Sequence, residues 1–178
     1  TEITLTSAGD YIKFRGDNST FSTSANNYYR FSMSGTIAAS GNVMSLVDST
    51  CKLLTIPGDY CFRSLFQGCT SLTTAPALPA TTLAVRCYYQ MFQGCTSLTT
   101  APALPATMLA GGCYQYMFRY CTKLSSIEVS FTSWTQATDQ TLAWVDGVTS
   151  SGTFTKPAAL EEEYGEHRIP TGWTVIDK

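Results

Sequence analysis

Seven cysteines and one histidine are the side chains of this 178-residue chain best suited to nucleophilic, redox or metal chemistry. Six of the cysteines are regularly spaced. Cys61, Cys87 and Cys113 recur 26 residues apart, and Cys69, Cys95 and Cys121 each follow eight residues later. A zinc site wants close pairs such as C-x2-C, or several histidines, and the chain offers neither. Disulfides fit poorly too. Residues eight apart on a helix are separated by about 12 Å, against the Cα separation of about 4.4–6.8 Å that a disulfide needs. Helices in adjacent repeats pack about 8–10 Å apart, which disfavours Cys61–Cys87 and Cys87–Cys113. Strand rungs about 4.8 Å apart would let Cys69, Cys95 and Cys121 touch, but three thiols cannot pair completely. Cysteine as a small buried hydrophobe in a ladder fits best, with one or two disulfides or a metal site as alternatives.

His167 stands beside Glu161, Glu162, Glu163 and Glu166. A Cys–His dyad has no local support, and buried apolar cysteines are inert. The glutamates read as a solvated face and His167 as a surface or cap residue. Gly111-Gly112 lacks the following Lys-Ser/Thr of a phosphate loop. No catalytic residue, cofactor or metal is assigned, and the chain reads as non-enzymatic. The net charge is −2 with scattered basic residues, which argues against nucleic-acid binding. No apolar run reaches the 18 residues of a membrane span. Charged residues are only 13%, below the usual quarter; Ser and Thr supply the surface polarity instead, which suits an exported protein. The start at Thr1 reads as a mature or trimmed chain without its export signal.

The cysteines belong to a repeated sentence. Residues 61–86 read CFRSLFQGCTSLTTAPALPATTLAVR, residues 87–112 read CYYQMFQGCTSLTTAPALPATMLAGG, and a third copy decays after Cys121. A period of 20–50 residues means stacked supersecondary units. In Leu83 to Gly94, Leu83, Cys87, Met91 and Phe92 form one apolar stripe at helical spacing, with Arg86, Tyr89, Gln90 and Gln93 opposite. Gly94 stands where a helix C-terminal glycine is expected. Leu98, Ala101 and Ala103 then match the L-x-x-L-x-L spacing of a leucine-rich-repeat strand. The expected fold is α/β: a short leucine-rich-repeat solenoid with strand plus helix in each 26-residue repeat. Leu72, Leu98 and Leu124 should stack as a ladder, as should Phe66, Phe92 and Phe118, and Leu65, Met91 and Met117.

One domain is expected, in three parts. Residues 1–40 form an N-terminal β cap, with antiparallel strands at Ile3–Leu5, Tyr11–Arg15 and Tyr29–Met33. Residues 41–134 carry the repeats, beginning with a degenerate copy in which Val43-Met-Ser-Leu46 aligns with Cys69-Thr-Ser-Leu72. Residues 135–178 form a mixed C-terminal cap: a helix at Thr138–Gly147, strands near Ser151–Thr155 and Trp173–Ile176, and an acidic helical turn at Pro157–Tyr164.

The Phe-x-x-Cys-x-x-Leu core and the LPATTLA–CYYQMFQGCTSLTTAP wording resemble the BspA-like leucine-rich-repeat surface proteins of Bacteroidetes. The flanking IKFRGDN, SGNVMSLVD and PTGWTVI also resemble the caps of that group. The resemblance implies a curved α/β solenoid, export to the cell surface or extracellular space, and often a lipid anchor upstream. It also implies adhesin-like binding of a host or microbial surface protein or glycan. A structural spacer or shell repeat without a specific ligand is the alternative. Two rows could contact a ligand. Between the inward strand positions lie Thr74, Pro76, Thr100, Pro102, Ser126 and Glu128; on the helix side lie Arg63, Tyr89 and Gln115, with Gln90 and Tyr116 one position on.

Overall fold

A computed structural model describes residues 3–18, 21–134 and 139–178. It overturns the strand-plus-helix leucine-rich-repeat solenoid. The one helical element among the described residues is a four-residue 3-10 turn, Val43–Leu46, whose first turn is capped by Asn42 through a 2.8 Å bond from the Met44 N–H. Where helices were expected, the chain forms runs of consecutive turns at 59–68, 85–94, 111–120 and 139–147. The helix expected at Thr138–Gly147 is the last of these; Thr138 itself lies outside the described residues.

The physical reason is a left-handed residue at nearly every fourth position. Positive φ occurs at Tyr60, Ser64 and Gly68, at Arg86, Gln90 and Gly94, at Gly112, Tyr116 and Tyr120, and at Ala143 and Gly147. One such residue ends an α-helix, and a non-glycine one costs roughly 1–2 kcal/mol. The hydrogen bonds show what offsets this. Alternate N–H groups close turns inside the run, as Arg63 does to Tyr60 and Leu65 to Phe62. The N–H groups between them donate to the next run: Phe62 to Cys87, Ser64 to Tyr89 and Phe66 to Met91, at 2.8–2.9 Å. The pattern repeats from Tyr88 to Cys113 and from Phe118 to Trp144. Each bond is worth about 0.5–1.5 kcal/mol net.

The runs are thus stacked tiers. In each, two residues of every four point inward: Cys61, Phe62, Leu65 and Phe66, then Cys87, Tyr88, Met91 and Phe92, then Cys113, Tyr114, Met117 and Phe118, all buried. Like side chains stack across tiers. Phe66 and Phe92 lie 5.5 Å apart at 7°, Phe92 and Phe118 5.8 Å apart at 4°. Tyr114 continues the Phe62–Tyr88 column at 6.2 Å, and Trp144 covers both columns at 6.2–6.3 Å. Leu72, Leu98 and Leu124 are fully buried as a third ladder.

The strand side is short and parallel. Strand β1 (Ile37–Ala38) pairs with β2 (Leu72–Thr74), while β3 (Ser126–Glu128), β4 (Thr153–Lys156) and β5 (Thr174–Asp177) form a second sheet in that order. Between them the second repeat contributes single bridges, Thr100 to Ser126 and Leu104 to Val129. The Ala-Pro-Ala segments cannot donate a continuous ladder, because proline has no N–H. Strand β3, whose Ile127-Glu-Val129 stretch has no proline, pairs fully with β4. The expected inward set also shifts. Ala103 is exposed and Leu104 buried; in the preceding repeat Ala77 is exposed and Leu78 buried.

The antiparallel strands expected in residues 1–40 are absent among the described residues. The segment instead lies against the 3-10 turn, with Gly16 N–H donating to the Ser45 carbonyl at 2.9 Å and Ser49 N–H and Oγ donating to Asp17, and against the first tier, with Phe31 N–H donating to the Leu65 carbonyl at 2.8 Å. Phe14 packs edge-on against Phe31, which stacks on Phe66. At the other end the acidic stretch after Pro157 makes a single turn, Leu160 N–H to Pro157 carbonyl. The three tryptophans all donate their indole N–H to backbone carbonyls there, of Glu161, Arg168 and Thr149. Lys156, 2% exposed, is held by Asp177 at 2.7 Å across the β4–β5 register.

Two outcomes follow. Leu98→Ala should lower the unfolding free energy by about 2–5 kcal/mol, measured by denaturant titration, and far-UV circular dichroism should lack a helical double minimum. Asp177→Ala should cost about 1–3 kcal/mol, because it strands a buried ammonium; the loss is below that of a fully enclosed pair since Asp177 is half in solvent. A cost under half a kilocalorie in the same titration would show that Lys156 does not depend on it.

Candidate functional site: a tyrosine–arginine row on the turn face

The outward half of each four-residue turn displays polar side chains, and the tier spacing brings those of neighbouring tiers into contact. Gln67 donates to Gln93 at 2.8 Å, and Ser64 lies 3.5 Å from Gln90. Beside this amide row runs an unbroken chain of rings and guanidinium groups. The Arg63 guanidinium packs against the rings of both Tyr28 and Tyr89, at 5.1 and 4.6 Å from their centroids. Tyr89 meets Tyr116 edge-on at 5.6 Å. Arg119 then sits over Tyr116 at 5.4 Å and Tyr120 at 4.6 Å. A parallel pair, Arg86 over Tyr60, is closed by a 3.2 Å bond from the guanidinium to the Tyr60 hydroxyl.

Glycines make room for this packing. A Cβ at Gly112 would come within 2.8 Å of Arg86 Cγ, and one at Gly147 within 2.7 Å of the Tyr120 ring. Both glycines also hold positive φ, so a side chain there would be strained and would displace the row.

The electrostatics keep the arginines charged. The bond to Tyr60 raises the pKa of Arg86, and the 2.8 Å bond to Asp146 raises that of Arg119. Burial pushes the Tyr89 hydroxyl up, partly opposed by Arg63. Arg63 Nε is buried and has no acceptor among the described residues. Among the described residues the hydrogen-bonded tyrosine hydroxyls are those of Tyr60 and Tyr164; those of Tyr28, Tyr89, Tyr116 and Tyr120 have no partner among these residues.

The residues expected from sequence divide accordingly. Arg63 and Tyr89 are brought together, and Tyr116 joins them. Gln115 is buried at 7% exposure and does not belong to the surface. On the strand side Thr74 and Thr100 are exposed, Ser126 is half-buried and bridges to Thr100, and Glu128 is exposed but paired to Lys178 at 2.6 Å. Pro76 is buried and Pro102 half-buried; with Ala75, Ala77 and Pro105, Pro102 lines a shallow apolar groove of about 330 Å³. Sequence reasoning missed Tyr28, Arg119 and Tyr120. Arg119 and Tyr120 neighbour Tyr116, so a four-residue turn period would have found them. Tyr28 lies outside the repeat and carries no such signal.

The cysteines take no part in the row. All seven are free thiols, and six are buried. Burial pushes Cys61, Cys113 and Cys121 up to about 12 and raises Cys69, Cys87 and Cys95 as well. Cys95 and Cys121 each donate S–H to the carbonyl of the phenylalanine 29 residues before, Phe66 and Phe92, at 3.1 and 3.0 Å; Cys69 does the same to Phe31 at 3.3 Å. His167 accepts the Ala143 N–H on Nδ1 at 2.8 Å, and its Nε2 lies 3.3 Å from Glu166. Among the described residues no group of three or more His, Cys, Asp or Glu is placed to hold a metal ion, and no helix is long and apolar enough to cross a membrane.

No family model, curated protein or solved structure matches the chain, so the resemblance to BspA-like proteins gains no support from these comparisons.

The thiols generate a pH dependence. Because their folded-state values lie above the unfolded value near 9, the native state retains protons that the unfolded chain loses, and the slope of stability against pH is negative there. Stability should be level below pH 9 in this respect and fall as pH rises from 9 toward 12, seen as a falling denaturant midpoint. A midpoint unchanged over that range would contradict the burial of the thiols.

Proposed function

We propose that the chain is a non-catalytic recognition module that binds through the row Tyr28–Arg63–Tyr89–Tyr116–Arg119–Tyr120. One observation carries this: six side chains from an N-terminal segment and three tiers make consecutive contacts at 4.6–5.6 Å on the surface. Tyrosine and arginine give contact area and hydrogen bonding at low entropy cost, and they dominate protein binding hot spots. The hydroxyls of Tyr28, Tyr89, Tyr116 and Tyr120 have no protein partner among the described residues and are available to a ligand. The non-catalytic reading draws support from the thiols. The raised pKa values of the six buried thiols keep those six protonated, and a protonated buried thiol is a poor nucleophile. An exported setting is part of the proposal, supported by the Ser- and Thr-rich, charge-poor surface; burial of six thiols would protect them from oxidation there.

The experiment is a binding screen of the folded chain against immobilised glycans and extracellular-matrix proteins, with Arg63→Ala, Tyr89→Ala and Thr100→Arg in parallel. A saturable hit should weaken about tenfold or more in the first two variants, the size of a lost charge-assisted or aromatic anchor. It should persist in Thr100→Arg, which alters the strand face. The opposite ranking would move the working face to the strands. Equal behaviour of all variants toward every partner would favour a spacer without a ligand.

A further inference from the structure

Resting on the recognition reading, we propose that the row binds an acidic polysaccharide, with a carboxylate or sulfate group held in the plane of the Arg63 guanidinium and sugar faces laid against the flanking tyrosines. Three features of the surface select this class.

The first is the backbone. In the three turn runs that carry the row, alternate N–H groups close turns and the others bond the next tier. No strand edge is left there, so an extended peptide cannot be captured by strand addition, the usual source of main-chain affinity. Recognition has to proceed through side chains alone.

The second is the kind of polar group on offer. The row presents the terminal nitrogens of Arg63, which only donate, beside the hydroxyls of Tyr28, Tyr89, Tyr116 and Tyr120, which donate and accept. Its nearest carboxylate, Asp146, is already bonded to Arg119 at 2.8 Å. Sugar hydroxyls, which also donate and accept, pair with these phenols without any backbone ladder, and an acidic sugar adds the anion that a donor-only guanidinium takes.

The third is the geometry of Arg63. Rings with centroids 5.1 and 4.6 Å away pack against the guanidinium and its Nε is buried, which leaves the two terminal nitrogens as the place for an anion. A planar fork held this way matches carboxylate and sulfate bidentately, which a lysine cannot do. The amide row of Gln67 and Gln93, already hydrogen-bonded at 2.8 Å, lies alongside for further sugar hydroxyls.

The test is isothermal titration of the full chain with four size-matched oligomers: heparin (sulfate), polygalacturonate (carboxylate), dextran (neutral sugar) and poly-glutamate (acidic peptide). Saturable binding of heparin or polygalacturonate is expected, with dextran silent. The arm that binds identifies the anion. Affinity should fall at higher salt, drop about tenfold or more in Arg63→Ala, and recover little in Arg63→Lys. Tyr28→Ala, on an exposed ring outside the repeat, should weaken binding as well and covers the case in which Arg63→Ala loses its fold. Poly-glutamate binding as tight as either polysaccharide would overturn the proposal, as would no binding of heparin and polygalacturonate, or binding untouched by Arg63→Ala and Tyr28→Ala. A neutral glycan or a matrix protein bound through Tyr89 in the wider screen would sink the acidic-polysaccharide assignment while leaving the recognition reading in place.

Discussion

A backbone that turns back on itself every four residues creates a demand that a helix never faces: half of its N–H groups point away from the turn. Here those groups donate to the carbonyls of the next tier, from Tyr60 to Val85, Phe62 to Cys87 and onward. The carbonyls divide in the same way. That of Phe62 closes the turn with Leu65, while that of Cys87 accepts from the tier before. Neither set of bonds is complete without the other, so no single tier is satisfied alone. Buried polar groups left unpaired would cost about 1–3 kcal/mol each, which makes the stacking obligatory. The last interval accommodates one additional residue without breaking the alternation: Tyr114 donates to Gln140 and Phe118 to Trp144, an offset of 26 rather than 25.

Everything else in the molecule is arranged by that spacing. Aromatic side chains repeated at the same position are held 5.5–6.2 Å apart and nearly parallel, close enough for offset stacking. The columns need lids, because their end rings would otherwise face water. Phe31 and Phe21 close one end over Phe66 and Phe62, and Trp144 closes the other. The cysteines are small enough to fill the gaps between columns, and the S–H groups of Cys95 and Cys121 reach carbonyls that already accept a turn bond, as Phe92 does from Cys95 N–H and Cys121 Sγ. A larger residue at Cys95, which has no exposed surface, would push the tiers apart.

The period and the stacked ladders were legible in the sequence; the conformation inside each repeat was not. Leu83, Cys87, Met91 and Phe92 satisfy an amphipathic helix of period 3.6, but a turn run of period 4 places Cys87, Met91 and their neighbours Tyr88 and Phe92 inward equally well. Three turns are too few for the two periods to drift apart. The distinguishing signal was Tyr88, which a helix of that phase leaves unassigned and which is 1% exposed here. Gly68 and Gly94 did announce left-handed residues, with φ of 75° and 74°, but Ser64, Gln90 and Tyr116 adopt the same conformation with no glycine to mark it. The candidate site was legible in part for the same reason. Arg63 and Tyr89 share one column of the repeat and were found together, whereas Gln115, next in that column, is buried.

The fate of Gln115 shows how the repeat both builds the surface and limits it. Strict repetition would place three equivalent side chains in a line, but Gly112 replaces the bulk found at Tyr60 and Arg86, and Gln115 folds into the space with its Oε1 3.4 Å from where a Gly112 Cβ would stand. Arg86 spreads across the same opening. The third tier therefore carries its aromatic one position later, at Tyr116, and the contact with Tyr89 becomes edge-on at 85° rather than stacked. The surface row steps sideways there and continues through Arg119 to Tyr120, over the space that Gly147 keeps open in the tier beyond. Departures from the repeat, rather than the repeat itself, give this face its shape, while the buried columns keep to the period because ring stacking tolerates no such step.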